Sequence, residues 1–145
     1  MNQNINQQDV EQLIQLLQLA QSSSNQQQQQ VYATLHQLEQ NPISYVYLAL
    51  IFNNSTLPTQ TRLMAGLTLK SALQRNHKII VFDQAQLSQI KHCIMAEEHP
   101  ELQKPKHIII SYLISLDSFD YTLFDYLINS LPSHPQNAVI LNYVL

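Results

Sequence analysis

An all-α fold built from antiparallel helix pairs is predicted by three observations. The 145 residues contain a single glycine, Gly66, whereas sheets and nucleotide loops draw on glycine wherever the backbone takes φ > 0 or closely approaches a ligand. Apolar residues recur at helical spacing from the first segment onward, with Val10, Leu13, Ile14, Leu17 and Ala20 on one face. Capping boxes and Ser- or Pro-bearing breaks then divide the chain into helix-sized pieces. Gly66 falls inside one of those pieces, where it costs about 1 kcal/mol relative to Ala, so its predicted role is close packing of a neighbouring helix.

Taken in order, residues 1–8 read as a disordered tail. Asp9 caps the first helix (residues 9–22), with Gln12 closing a capping box. Ser22-Ser23-Ser24 is the turn, and Ser24 with Gln27 opens a second helix to Gln40 with Val31, Leu35 and Leu38 as its stripe. The glutamine tract 26–30 reads as a solvated helix start, since Gln is a fair helix former. Asn41-Pro42 breaks the chain, and the apolar run 43–52 reads as a short buried helix. A loop to Pro58 leads to a helix over 59–75, with Leu63, Leu67 and Leu73 on one side and Ala65, Leu69 and Ala72 on another. Residues 76–82 have strand propensity in Ile79-Ile-Val-Phe82, but no second strand of similar quality exists, so they read as an extended linker with Phe82 inward. Asp83 with Gln86 is a third capping box, opening a helix to Ala96 that carries Leu87, Ile90 and Ile94. A turn at 97–100 precedes a long central helix over 101–117, with a kink expected at Pro105. Residues 121–131 form a further amphipathic helix. Ala138, Leu141 and Leu145 begin an eighth, whose apolar residues call for another surface or for more chain beyond them.

These helices pair at intervals of about 40 residues, the period of HEAT and armadillo arrays. The units are 9–40, 42–75, 83–117 and 121–145, and the fold class is a right-handed α-solenoid of HEAT-type antiparallel helix pairs, about three and a half repeats with a truncated C-terminal end. Each pair hides its apolar flank against the next.

Composition excludes several functions. Charged residues are 12% of the chain and net charge is −3, so no basic excess exists to grip phosphate backbones and no nucleic-acid partner is expected. No apolar run approaches the roughly 20 residues of a membrane span and no signal peptide is recognisable, so no membrane partner is expected. The one cysteine, Cys93, cannot form an internal disulfide, which fits a reducing compartment. The sequons at Asn53 and Asn54 then carry little meaning. His92-Cys93 lacks the further ligands that structural zinc needs and reads as a buried cysteine. His36, His77, His99, His107 and His134 are scattered and read as exposed. Asp117, Asp120 and Asp125 surround a turn and read as caps rather than paired catalytic carboxylates. No metal, cofactor or catalytic residue is expected, and a small helical enzyme is disfavoured for want of a site.

Laid out this way, the chain resembles the N-terminal region of the importin-β superfamily, and within it the transportin branch. The resemblance lies in Leu13-Ile-Gln-Leu-Leu17, Leu35-His-Gln-Leu-Glu-Gln-Asn-Pro42, Tyr47-Leu-Ala-Leu-Ile51, Arg62-Leu-Met-Ala-Gly-Leu-Thr-Leu-Lys70 and Ile90-Lys-His-Cys93. The Arg62–Lys70 segment is the most specific, and order and spacing agree from about Asp9 to Leu131. It implies a HEAT solenoid that carries protein cargo through nuclear pores, moves between cytoplasm and nucleus, and binds the small GTPase Ran in its GTP form through second helices lining a concave face. Arg62, Gly66 and Lys70, spaced i, i+4, i+8, would form one stripe there, with Arg62 and Lys70 as GTPase contacts and Lys104 and Lys106 in the matching place one repeat later. The chain departs from the family pattern at Ser71-Ala72, at Lys106, Ile108 and Ile110, and at Asp120-Tyr-Thr-Leu, which keeps open a second reading: a helical-repeat interaction scaffold that has lost the GTPase face. Four exposed ion pairs at about 0.2–1 kcal/mol each fall short of the about 8 kcal/mol of a micromolar complex, so aromatic or aliphatic anchors are needed beside them.

Overall fold

A computed structural model describes residues 5–22, 24–116 and 121–144. Among these the chain is all-helical and HEAT-like: α1 (Gln7–Ser22), α2 (Asn25–Leu38), α3 (Pro42–Phe52), α4 (Thr59–Asn76), α5 (Gln84–Ala96), a 3-10 turn (Pro100–Leu102), α6 (Gln103–Leu116), α7 (Tyr121–Ser130) and α8 (Asn137–Val144). No strand occurs among the described residues. None of their helices is long and apolar enough to cross a membrane. Expectations placed on residues 1–4, Ser23, Asp117, Asp120 and Leu145 fall outside the described residues.

The start of α1 corrects the sequence reading. The cap is Asn6, whose Oδ1 accepts from the Gln8 and Asp9 amides at 3.0 and 3.3 Å. Asp9 lies in the first turn instead, where its charge still complements the positive end of the helix. Packing decides the earlier start: Ile5 rests on the core and the Asn6 amide donates to the Tyr47 hydroxyl at 3.2 Å. Residues 5–8 are therefore ordered against the domain rather than part of a free tail.

The other caps follow local chemistry. Reciprocal capping boxes close Ser24 with Gln27 and Asp83 with Gln86, each satisfying two otherwise orphaned donors. Asn41 caps α3 through its side chain and Pro42 occupies the first turn, where a missing N–H loses nothing. The same reasoning removes the expected kink at Pro105. The 3-10 turn absorbs residues 100–102, so α6 begins at Gln103 and Pro105 is its third residue. A first-turn proline deletes only an amide that had no intrahelical partner.

Helices α3 and α5 pack together as first helices of consecutive pairs, while α4, α6 and α8 pack in sequence as second helices; α1 reaches α2, α3 and α4, and α7 closes on α6 and α8. The core runs continuously through Leu17, Tyr45, Phe52, Leu69, Leu73, Ile90, Ile94, Ile109, Ile110 and Leu113. Each such large side chain contributes about 1.5–3 kcal/mol when fully buried. Helix α3 is the axis of the molecule, with eight of its 11 residues buried, which accounts for its lack of a polar face. Gly66 on α4 faces it: a Cβ there would lie 2.5 Å from the Phe52 ring. Leu67 does not join the inner face expected of it. It is 37% exposed, whereas Ala65, Leu69, Ala72 and Leu73 are fully buried.

The linker after α4 is held by Ile79 and Ile80 amides donating to Asn76 O at 2.9 and 2.8 Å. Phe82 then turns inward and meets Tyr45 edge-on at 5.2 Å between ring centroids, leaving Ile79 and Val81 outside.

Candidate functional site

The second helices share a charge pattern that composition conceals. Helices α2, α4, α6 and α8 contain no Asp or Glu. They hold five of the seven Lys and Arg of the protein: Arg62, Lys70, Arg75, Lys104 and Lys106. Lys78 follows two residues past the end of α4. Asp9, Glu11 and Asp125 lie on first helices α1 and α7. A chain of net charge −3 thus places most of its positive charge in one layer, Lys91 on α5 being the exception.

Two of those cations are internal, against the sequence expectation. Arg62 is 5% exposed. Its Nε donates to Phe52 O at 3.0 Å and its Nη2 to Glu97 Oε1. Lys106 is 1% exposed. Its Nζ donates to Glu97 O at 2.6 Å and Met95 O at 3.2 Å, closing the carbonyl end of α5, and lies 4.6 Å from the Tyr126 ring centroid. A buried charge must be paired and hydrogen-bonded, and both are. The i, i+4, i+8 stripe therefore runs from a buried guanidinium through a buried glycine to a half-buried Lys70, while Lys104 is exposed.

A second ionic staple joins the ends of α2 and α4. Arg75 donates to both Glu39 oxygens, at 2.8 and 2.6 Å, and Asn76 Nδ2 reaches Glu39 Oε1 at 3.2 Å and the Tyr45 hydroxyl at 3.1 Å. Burial pushes the Glu39 carboxyl up, but the hydrogen bonds and charges of Arg75, with Asn76 and His36, outweigh it and hold it below the ordinary carboxylate range. Burial likewise raises the Tyr45 hydroxyl and the Cys93 thiol, which is the buried cysteine expected.

The surface left between these staples is grooved. Tyr32, Leu35, His36, Met64, Leu67, Thr68, Ser71 and Arg75, with Glu39, surround a cavity of about 230 Å³ between α2 and α4. Gln74, His77, Lys78, Ile108, Ser111, Tyr112, Ser115 and Ile140 line one of about 620 Å³ between α4, α6 and α8. A third, of about 240 Å³, continues from it past Lys104, Gln136 and Val139. Among the described residues, the only carboxylate in the three linings is the already paired Glu39.

His107 also departs from expectation, being 1% exposed. Its ring meets Tyr126 at 5.8 Å and His134 at 4.7 Å between centroids, and neither ring nitrogen has a hydrogen-bond partner. Burial, with the adjacent His134 and Lys106, lowers its pKa to about 4.

Sequence reading missed Glu39 and Glu97 as anchors, and Arg75 and Lys78 as surface cations. The layer-by-layer sorting of acids and bases could have found the last two; nothing local marks the partners of the buried carboxylates.

The family model described as Importin-beta N-terminal domain matches residues 31–103, a span that runs from α2 to the start of α6 and includes both staples. A search of curated proteins gave no match. By that domain, the chain belongs to the importin-β superfamily.

Proposed function

We propose that this chain is the N-terminal part of a transportin-like nuclear import receptor, whose second-helix face binds the GTP form of Ran and so supports import of protein cargo. In this family the domain is a Ran-GTP binding module and its members shuttle between cytoplasm and nucleus. The observation that carries the reading to this chain is a second-helix layer without a single carboxylate but with exposed Lys104 and Lys78, half-buried Lys70 and Arg75 at its edge. Its chemistry is recognition of an acidic protein surface in one nucleotide state, with no covalent step and no cofactor. Ion pairs at about 0.2–1 kcal/mol each are supplemented by Tyr32 and Leu67, which are 45% and 37% exposed and line the same cavity as Arg75. Cargo and nuclear pore proteins would be further partners of a full receptor.

Retention of Ran loaded with GTP, but not with GDP, on the immobilised chain tests this reading. Lys70→Glu with Lys104→Glu should reduce retention at least tenfold. Equal retention of both nucleotide states, or none, would overturn it.

Burial of Arg62 and Lys106 favours one alternative, a helical-repeat scaffold without GTPase binding, because it removes half of the charged contacts that the family resemblance assigns. Such a scaffold would retain neither nucleotide state.

A further inference from the structure

A groove of about 620 Å³ between α4, α6 and α8 holds Lys78, and the cavity beside it holds Lys104, both among the charged contacts just described. The floor of the groove is apolar, made by Ile108 and Tyr112 of α6 and Ile140 of α8. The adjoining cavity shares Ile108 and Ile140 and adds Val139, which is 59% exposed. Lys78 and Lys104, both exposed, line the two cavities, together with Gln74, Ser111, Ser115 and Gln136. Among the described residues, neither lining contains a carboxylate.

We propose that this α4–α6–α8 groove receives an acidic, leucine-bearing helical segment of a partner protein. Charge fixes the sign of the occupant: two unopposed ammonium groups favour Glu or Asp, and complementary charge sets specificity and encounter rate more than raw affinity. The apolar floor fixes its other face, since an aliphatic ridge buried on Ile108, Tyr112 and Ile140 supplies the affinity that exposed ion pairs do not. The walls fix its conformation. Helices satisfy their own backbone groups, so they offer no ladder to an extended peptide. A helical ligand arrives with its N–H and C=O groups already paired and seats side chains at i, i+3, i+4 and i+7. From Lys104 to Ser115 the groove follows α6 over about 16 Å at 1.5 Å per residue, which is roughly three turns of bound helix. The inference rests on the second-helix layer being the binding face, as in the proposed function, but not on the GTPase.

The test is fluorescence anisotropy with a labelled amphipathic peptide of about 14 residues, leucines at helical spacing and glutamates between them. A peptide with every Glu replaced by Lys and one with the leucine spacing scrambled are the controls. Specific binding of the acidic peptide is expected, at least tenfold tighter than either control and weaker at 300 mM salt than at 50 mM. The Lys78→Glu, Lys104→Glu double variant should lose at least tenfold in affinity with an unchanged circular-dichroism spectrum, and Val139→Asp should weaken binding without reversing the charge preference. Equal binding of acidic and basic peptides, or an affinity indifferent to the double variant, would overturn the proposal. So would a concentration-dependent dimer abolished by Val139→Asp, which would make a second copy the occupant. Nucleotide-dependent retention of Ran on the same preparation, measured without peptide, reports on the GTPase reading alone, so either idea can fail while the other stands.

Discussion

Arg62 and Glu97, 35 residues apart, form an ion pair at the boundary between the second and third helix pairs, with both side chains 6% exposed. Arg62 also holds the last carbonyl of α3, Phe52 O, and Glu97 Oε2 accepts from the His99 amide at 2.8 Å. One contact therefore ties the end of α3, the start of α4, the end of α5 and the turn into α6. Removing one partner of a buried pair leaves an uncompensated charge, at about 3–5 kcal/mol. Arg62→Ala and Glu97→Gln should each lower the unfolding free energy measured in urea by an amount of that order, and the double variant should lose less than the sum. Additive losses would show the two side chains to be independent. Loss of GTPase binding in Arg62→Ala would then report on folding rather than on contact.

Gly66→Ala sets two effects against each other. In an exposed helix the change gains about 1 kcal/mol. Here the new methyl group would lie 2.5 Å from a ring carbon of Phe52, itself fully buried, and overpacking typically costs about 1–3 kcal/mol. A net loss of stability is expected in thermal or urea unfolding. Phe52→Leu in the Gly66→Ala background should recover part of it, since a smaller side chain makes room. A stabilised Gly66→Ala single variant would refute the close approach.

His107 predicts a sign for the pH dependence. Its folded pKa, about 4, lies below the ordinary 6.5, so the unfolded chain binds the proton first. The stability associated with its neutral form is fully present above about 6.5 and is lost as pH falls toward 4, at up to about 1.4 kcal/mol per pH unit. The groups facing it offer no relief, since His134 and Lys106 both add to the lowering and Tyr126 meets it only ring to ring. Glu39 contributes in a separate window, because its lowered pKa means loss only as pH falls below the ordinary carboxylate value of 4.5. Urea midpoints between pH 7 and pH 5 should therefore fall in the parent, and His107→Leu should flatten that slope. An unchanged slope in the variant would assign it elsewhere.

What the sequence made legible was whatever depends on neighbours along the chain. Ser24 with Gln27, Asp83 with Gln86, and Asn41 with Pro42 each mark a helix start through contacts within three residues, and each does so in the structure. Asn6 and Asp9 present the same chemistry, and only contact with Tyr47, 41 positions away, chooses between them. The same limit hid the interior of the candidate site. An arginine opening a helix and a lysine in a first turn read as surface contacts for the GTPase, because nothing near Arg62 or Lys106 announces the Glu97 carboxylate and carbonyl that bury them. His107 read as exposed for a related reason: Tyr126 and His134 reach it from elements 19 and more residues downstream. The charge sorting of the helices, by contrast, was present in the sequence once alternate helices were compared.

Lys104 and Lys106 stand two residues apart on α6 and should behave oppositely. Lys104 is exposed at the end of a groove, and surface substitutions away from specific features usually stay within about 0.5 kcal/mol. Lys104→Glu should therefore leave the urea midpoint nearly unchanged while altering any binding that depends on the second-helix face. Lys106 caps the carbonyls of Met95 and Glu97 beneath Tyr126. Lys106→Glu would bury a carboxylate against two carbonyl oxygens that then lack a donor, a loss of several kcal/mol, and little folded protein is expected. Lys106→Met keeps the aliphatic stem and removes the donor, so it should fold with a midpoint clearly below that of Lys104→Glu. If both positions tolerated glutamate equally, Lys106 would have to lie on the surface in solution, and the closure of α5 by its ammonium group would be wrong.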